Sequence, residues 1–195
     1  MKNLIYGKGY NDGSRCAGAG RSGKLVKQYI LWVNMLRRCF DEKDILNPTY
    51  KGCTVSENFL NYSYFYDWCQ NQIGFDKDNW QLDKDLLLVG NKTYSETTCV
   101  FVPQEINKFF NAHGRAKGAE PLGIHVDSKT GKYKVQCNVN GKRRYLGRFS
   151  SKHTAFSAYK DFKESLCKEL ALKWQHEIDP RVFEAMMKWE VDRND

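Results

Sequence analysis

No apolar run in this 195-residue chain is long enough to cross a bilayer, and no secretory signal opens it. A membrane-spanning protein is thereby excluded from the expectation. The seven cysteines, at 16, 39, 53, 69, 99, 137 and 167, are odd in number and form no C-x-x-C pair. A disulfide framework and a paired-spacing zinc site both lack their signature. The cysteines read as mostly buried thiols of a reduced, cytoplasmic protein, with Cys39, Cys53 and Cys99 the set that could in principle meet at a metal. There is no internal repeat and no long low-complexity tract. Acids are missing altogether from 131 to 152.

What the chain has in surplus is positive charge. Lys and Arg number 31 against 23 Asp and Glu, a net charge of +8. The surplus is local: residues 114–173 hold 14 Lys/Arg against 5 Asp/Glu. Nucleic acid is the polyanion that such a segment suits first, and a membrane surface second.

Within that segment, Lys132 to Phe149 reads as two alternating runs around Asn140-Gly141, a hairpin signal. Tyr133, Val135, Cys137 and Val139 share one face. With a two-residue turn Asn138 faces Arg143, Gln136 faces Tyr145 and Val135 faces Leu146, and cross-strand partners share a face. One side is therefore apolar. The other carries Lys132, Lys134, Gln136, Asn138, Arg143 and Tyr145. Strict alternation turns Arg148 inward; a bulge at Gly147 would release it and bring Phe149 in. A blunted, solvated sheet edge is the plain alternative. The missing acids, with Arg, Gln, Asn and Tyr among the lysines, favour a groove-reading surface.

The rest of the chain reads as α+β. Residues 1–23 form a flexible basic lead-in. Lys24–Phe40 is helical, with Val26, Ile30, Val33, Leu36 and Phe40 as its stripe. Ser56 caps a helix over about 57–72 whose aromatics, Phe59, Tyr62, Phe65, Tyr66 and Trp68, read as core. Trp80–Leu87 is a strand, Val89–Thr97 a polar loop and Thr98–Val102 a second strand. Pro103 opens a helix to about Phe110. Residues 112–121 have linker composition. A strand at Ile124–Val126 joins the hairpin, and Ser151 caps a helix from 152 to about 174. Its stripe, Ala155, Ala158, Tyr159, Phe162, Leu166 and Leu170, can lie on the apolar sheet face. Residues 175–195 hold a final helix with Val182, Met186 and Trp189 on one side.

Gly123-Ile124-His125-Val126, Gly131-Lys132-Tyr133, Gly141-Lys142, Leu146-Gly147-x-Phe149 and Ala155 to Ala158-Tyr159 form a pattern over about 50 residues, 122 to 173. It resembles an Apetala-two-type DNA-binding domain. The resemblance implies a three-stranded antiparallel sheet packed on one helix, with the sheet in the major groove of double-stranded DNA. Base or phosphate contacts would fall to His125, Lys132, Lys134, Gln136, Asn138, Arg143, Tyr145 and Arg148. His125 stands where that family usually has Arg.

A second pattern lies upstream: Leu82-Asp83-Lys84-Asp85, Gly90-Asn91-Lys92-x-Tyr94-Ser95, Cys99-x-Phe101-Val102-Pro103 and Asn107, preceded by Trp32 to Phe40 and Val55 to Tyr62. It resembles the divergent HNH-like, or ββα-metal, nucleases found in phages. Such blocks occur fused to Apetala-two-type domains in homing endonucleases. The resemblance implies a nuclease domain over 24–111, a DNA-binding domain over 122–174 and a divalent cation, Mg²⁺ or Mn²⁺. Asp83 and Asn107 become the metal ligands. Lys84 falls where the general-base His should be, and all four histidines (113, 125, 153, 176) lie outside the block. Lys84 would then stabilise charge in the transition state, and Asp85 would act as base or support. Asn91 and Lys92 would brace the loop or hold phosphate. The expected function is a site-selective DNA endonuclease or nickase acting in the cytoplasm of a host cell. A non-catalytic sequence-specific DNA-binding protein is the alternative. An RNA-binding module is weaker, because the sheet face offers Tyr145 alone for stacking.

Overall fold

The computed structural model describes residues 4–19, 23–44, 49–111, 123–139 and 141–192. The expected linker, 112–121, and the turn residue Asn140 lie outside them. The protein is α+β, with five α-helices and four small sheets among the described residues. It divides into two compact units. One comprises residues 1–104 with Glu177–Val182, the other Glu105–His176 with Phe183–Asp195.

The first unit begins with a two-residue ribbon, β1 (Gly18–Ala19) against β2 (Lys24–Leu25), followed by helix α1 (Lys27–Phe40). The face α1 buries differs from the expected one. Gln28, Trp32, Met35, Leu36 and Cys39 are buried, whereas Ile30 is exposed. Both stripes obey three- and four-residue spacing, and the aromatics decide between them. Trp32 packs on Tyr62 with centroids 5.3 Å apart, and its indole N–H donates to the Phe59 carbonyl at 2.7 Å. A short strand, β3 (Thr54–Val55), precedes a 3₁₀ turn at Asn58–Leu60 and helix α2 (Tyr62–Gln70). The cap of α2 is Asn61, not Ser56: its side-chain oxygen accepts from the Ser63 amide at 2.8 Å. Phe59, Tyr62 and Phe65 are fully buried, so the aromatic stripe is core.

Residues 4–19, expected as a free lead-in, run against these helices instead. Tyr10 exchanges backbone hydrogen bonds with Leu60 and Tyr62, and Arg15 forks onto Asp67 at 2.7 and 2.8 Å. The Asp12 carboxylate accepts from Ser14, Ser63 and Asn61, which holds its pKa well below the usual range. Gly9 permits this approach, since a Cβ there would lie 2.2 Å from a Leu36 methyl.

Strand β4 (Trp80–Asp83) ends four residues earlier than expected. Asp83 captures the next amides with its side chain and turns the backbone out of the ladder. The loop beyond it contains β5 (Thr93–Tyr94), which pairs in parallel with β3. Strand β6 (Val100–Pro103) returns antiparallel to β4, with Asp83 opposite Val100 and Trp80 opposite Pro103. Pro103 thus closes a strand rather than opening a helix, at an end position where the ladder tolerates a missing N–H. Helix α3 (Gln104–Asn111) follows.

In the second unit, β7 (Ile124–Val126), β8 (Tyr133–Val139) and β9 (Lys142–Phe149) form an antiparallel sheet in the order β7-β8-β9. Helix α4 (Lys152–Trp174) covers its apolar face, capped by Ser151. Ile124, Val135 and Cys137 of the sheet meet Ala155, Phe156 and Tyr159 of α4 and Val191. Phe162 of the expected stripe joins this core only partly, and buried Lys163 lies on the covered side. The last helix, α5 (Pro180–Lys188), starts in the first unit and ends in the second. Beyond it Trp189 packs on Phe109 and Phe110, each at 5.5 Å.

Candidate nucleic-acid interface and candidate active site

The outward sheet face is organised in rows. Around the turn, Val139 pairs with Lys142, Asn138 with Arg143 and Gln136 with Tyr145. The register then slips. Val135 pairs with Gly147, not with Leu146 as simple alternation required, so Leu146 and Gly147 form a bulge. Gly147 has φ +140°, and a Cβ there would lie 3.1 Å from the Phe149 ring. The bulge carries Arg148 to the outer face opposite Lys134 and lets Phe149 join the core. His125 also pairs with Lys134, so His125, Lys134 and Arg148 form one row across three strands.

Tyr145 is 55% exposed, and the Lys134 ammonium lies 5.9 Å from its ring centroid. The Arg148 guanidinium meets Asp127 at 3.1 Å. Lys132 is exposed in the turn before β8, where its carbonyl accepts from the Asp127 amide. All eight residues expected to face DNA thus belong to one sheet and its first turn. Asp127 is the addition that sequence reading missed. Its place two residues past His125, at the mouth of the turn, was the available signal.

The second candidate is the loop between β4 and β5. Asp83 is buried, and its Oδ1 accepts from the amides of Asp85 at 2.9 Å and Leu86 at 2.8 Å. Burial, joined by the neighbouring Asp85 charge, raises its pKa from the usual carboxylate range to about 6, despite the two amides. Lys84 is buried and donates to Asp85 Oδ2 at 2.9 Å and to the Asn91 carbonyl at 3.3 Å, with the Tyr94 ring 5.6 Å away. Asn91 clamps the loop: its side chain donates to the Lys84 and Thr93 carbonyls at 2.6 and 2.8 Å and accepts from the Thr93 amide. Lys92 donates to the Thr49 carbonyl at 3.2 Å, which makes it a brace for the neighbouring turn.

Asp83, Lys84, Asp85, Asn91 and Lys92 therefore belong to one loop of the first unit. Asn107 does not join them in that unit. It lies on α3 beyond Gln104, in the second unit, and its Oδ1 accepts from Asn111 at 2.7 Å. No three His, Cys, Asp or Glu side chains among the described residues are grouped so as to hold a metal ion. Cys39, Cys53 and Cys99 form no such group, and all seven cysteines are free thiols, six of them buried. Mg²⁺ commonly takes only one or two carboxylates when phosphate and water supply its other ligands. Asp83 and Asp85 adjoin, but Asp83 Oδ1 is engaged by two amides and Asp85 Oδ2 by the Lys84 ammonium.

No protein-family model, curated protein or solved structure matches the chain. No helix among the described residues is long and apolar enough to cross a membrane.

Proposed function

We propose that the protein binds double-stranded DNA in a site-selective way through its C-terminal sheet, and that it is a divalent-metal-dependent endonuclease or nickase of the phage homing type. The observation that carries the DNA-binding half is the convergence of His125, Lys134, Gln136, Asn138, Arg143, Tyr145 and Arg148 on one face of the sheet, opposite the face that α4 covers. A three-stranded sheet with this composition suits the major groove, where Arg and Gln discriminate base edges and lysines meet phosphates. Arg143 and Gln136 serve as base readers, with Lys132 at the rim.

The cleavage half rests on the resemblance and on the Asp83–Asp85 pair. In this reading Asp83 and Asp85 would hold the ion, whose chemistry when bound would be to polarise the scissile phosphate. Lys84, already donating to Asp85 and a carbonyl, acts as a charge anchor rather than as a base.

One observation favours the alternative, a DNA-binding protein without catalysis. Asp83 Oδ1 is already engaged by two amides, as a purely structural loop brace would be. The deciding experiment incubates the purified protein with supercoiled plasmid in Mg²⁺, Mn²⁺ or chelator. Metal-dependent nicking that vanishes in Asp83→Asn supports the endonuclease. Salt-sensitive binding without nicking in any metal refutes it and leaves the DNA-binding reading standing.

A further inference from the structure

The DNA-reading assignment of the sheet, on which this inference rests, gives Arg148 no role of its own. The structure does. Arg148 is set apart by three features. The first is the bulge. Gly147 adopts a left-handed φ of +140° in a position where a side chain would press on Phe149, and the outcome is to turn the next residue outward. Bulges that cost strain are commonly retained because they re-aim a side chain.

The second feature is the row His125–Lys134–Arg148. Lys134 and Arg148 are like charges placed directly opposite, which destabilises a sheet. Asp127 offsets part of that cost at Arg148, and the phosphates of a duplex would offset the rest. The third feature is Asp127. It is fixed by its own turn, accepting from the Lys129 amide at 3.0 Å, and holds one terminal nitrogen of Arg148 at 3.1 Å. The side chains of the pair are 44% and 22% exposed, so the ion pair adds little stability. Its effect is to bias the guanidinium towards the Asp127 side of the row.

We infer that Arg148 reads a guanine in the major groove and that Asp127 is its positioning residue. A guanidinium offers five donors in a planar fork; one terminal nitrogen is ion-paired with Asp127, and the remaining donors match the O6 and N7 acceptors of guanine. Prior tethering lowers the ordering cost of a long side chain on binding. Lys cannot reproduce the fork.

The test uses the full chain and a duplex selected by the wild-type protein from a randomised pool. Affinities are measured on that duplex and on variants in which each G·C pair is replaced. Wild type should show one G·C position at which replacement weakens binding by about 5- to 150-fold, the range of a bidentate contact. Arg148→Lys should abolish that discrimination while binding to other sequences changes little. Asp127→Asn keeps an oxygen for the Lys129 amide but loses the charge. It should lower discrimination at the same position by about 3- to 10-fold, with the melting temperature within about 2 °C of wild type. The double variant should be no worse than Arg148→Lys, because Asp127 acts through Arg148. Lys132→Gln, a rim change, should weaken all duplexes alike. If binding persists and both variants keep full discrimination at every G·C pair, the inference is overturned and the DNA-binding reading survives. If no duplex is bound, both fall.

Discussion

Replacing Asp83 by Asn should make the protein more stable at neutral pH while stopping any cleavage. The side chain is 8% exposed and its pKa is raised from 3.8 to about 6. Below about 3.8 the carboxyl is protonated in both folded and unfolded chains, and its stabilising contribution is fully present. As pH rises towards about 6 the unfolded chain releases the proton first, so folding loses stability across that window. The ionised Asp83 carboxylate is therefore a net cost to folding at neutral pH. An amide in place of the carboxyl is neutral throughout and keeps an oxygen for the Asp85 and Leu86 amides. Urea unfolding should therefore show Asp83→Asn ahead of wild type by about 1–3 kcal/mol at pH 7.5 and level with it near pH 3.5. Asp83→Ala should instead cost about 2–4 kcal/mol, because two amides lose their acceptor. Asp85→Asn should destabilise by about 1–3 kcal/mol, since it removes the carboxylate that partners the buried Lys84. An Asp83→Asn protein that is less stable at pH 7.5, or whose advantage does not change with pH, would refute the reasoning.

Lys163 is 4% exposed, with its ammonium 3.8 Å from the Phe109 ring centroid and its pKa lowered by burial. Lys163→Met should raise stability by about 1–3 kcal/mol at pH 7. Because the folded pKa lies below the unfolded value, the wild-type deficit shrinks as pH approaches 10.5, and denaturant titrations at pH 7 and pH 10.5 should show the gain fading. Gly147→Ala places a side chain at φ +140° and 3.1 Å from Phe149, and should cost about 1–3 kcal/mol in thermal unfolding and weaken DNA binding by displacing Arg148. Gly9→Ala should cost about 1–3 kcal/mol through overlap with Leu36 and Trp32, and protease sensitivity of residues 4–19 should rise with it.

The hairpin was legible because strand alternation has an exact period. Once Asn140-Gly141 marks the turn, each cross-strand pair as far as Gln136–Tyr145 follows by counting. Counting fails at Leu146–Gly147, where an extra residue enters one strand. The clue there was chemical: without a bulge Phe149 would face water. Helix α1 was legible as an element but not in its phase, since its two apolar stripes overlap at Leu36. The lead-in was not legible because its fixing contacts join residues about 50 positions apart, as in Arg15–Asp67 and Ser14–Ser63. Polar and glycine-rich sequence looks the same whether or not a distant surface receives it. The site suffered from a related ambiguity: an aspartate that binds a metal and one that braces a turn have the same letter, and Asp83 is built as the second whatever else it does.

Bracing accounts for the two amide bonds but not for the charge. A loop needing only a brace would be served better by Asn, which accepts from the same two amides without burying a charge. The chain has Asp instead, set beside a second carboxylate that raises its pKa further, with a buried lysine anchored on that neighbour. The buried Asp83 charge works against folding near neutral pH, whereas Asp85 both adds to that cost and offsets the burial of Lys84. Energetic conflict concentrated in three consecutive residues is the pattern expected where a charge is kept for chemistry. The pH-dependent gain in Asp83→Asn measures that conflict directly, and the plasmid assay on the same variant then tells whether the charge is kept for cleavage.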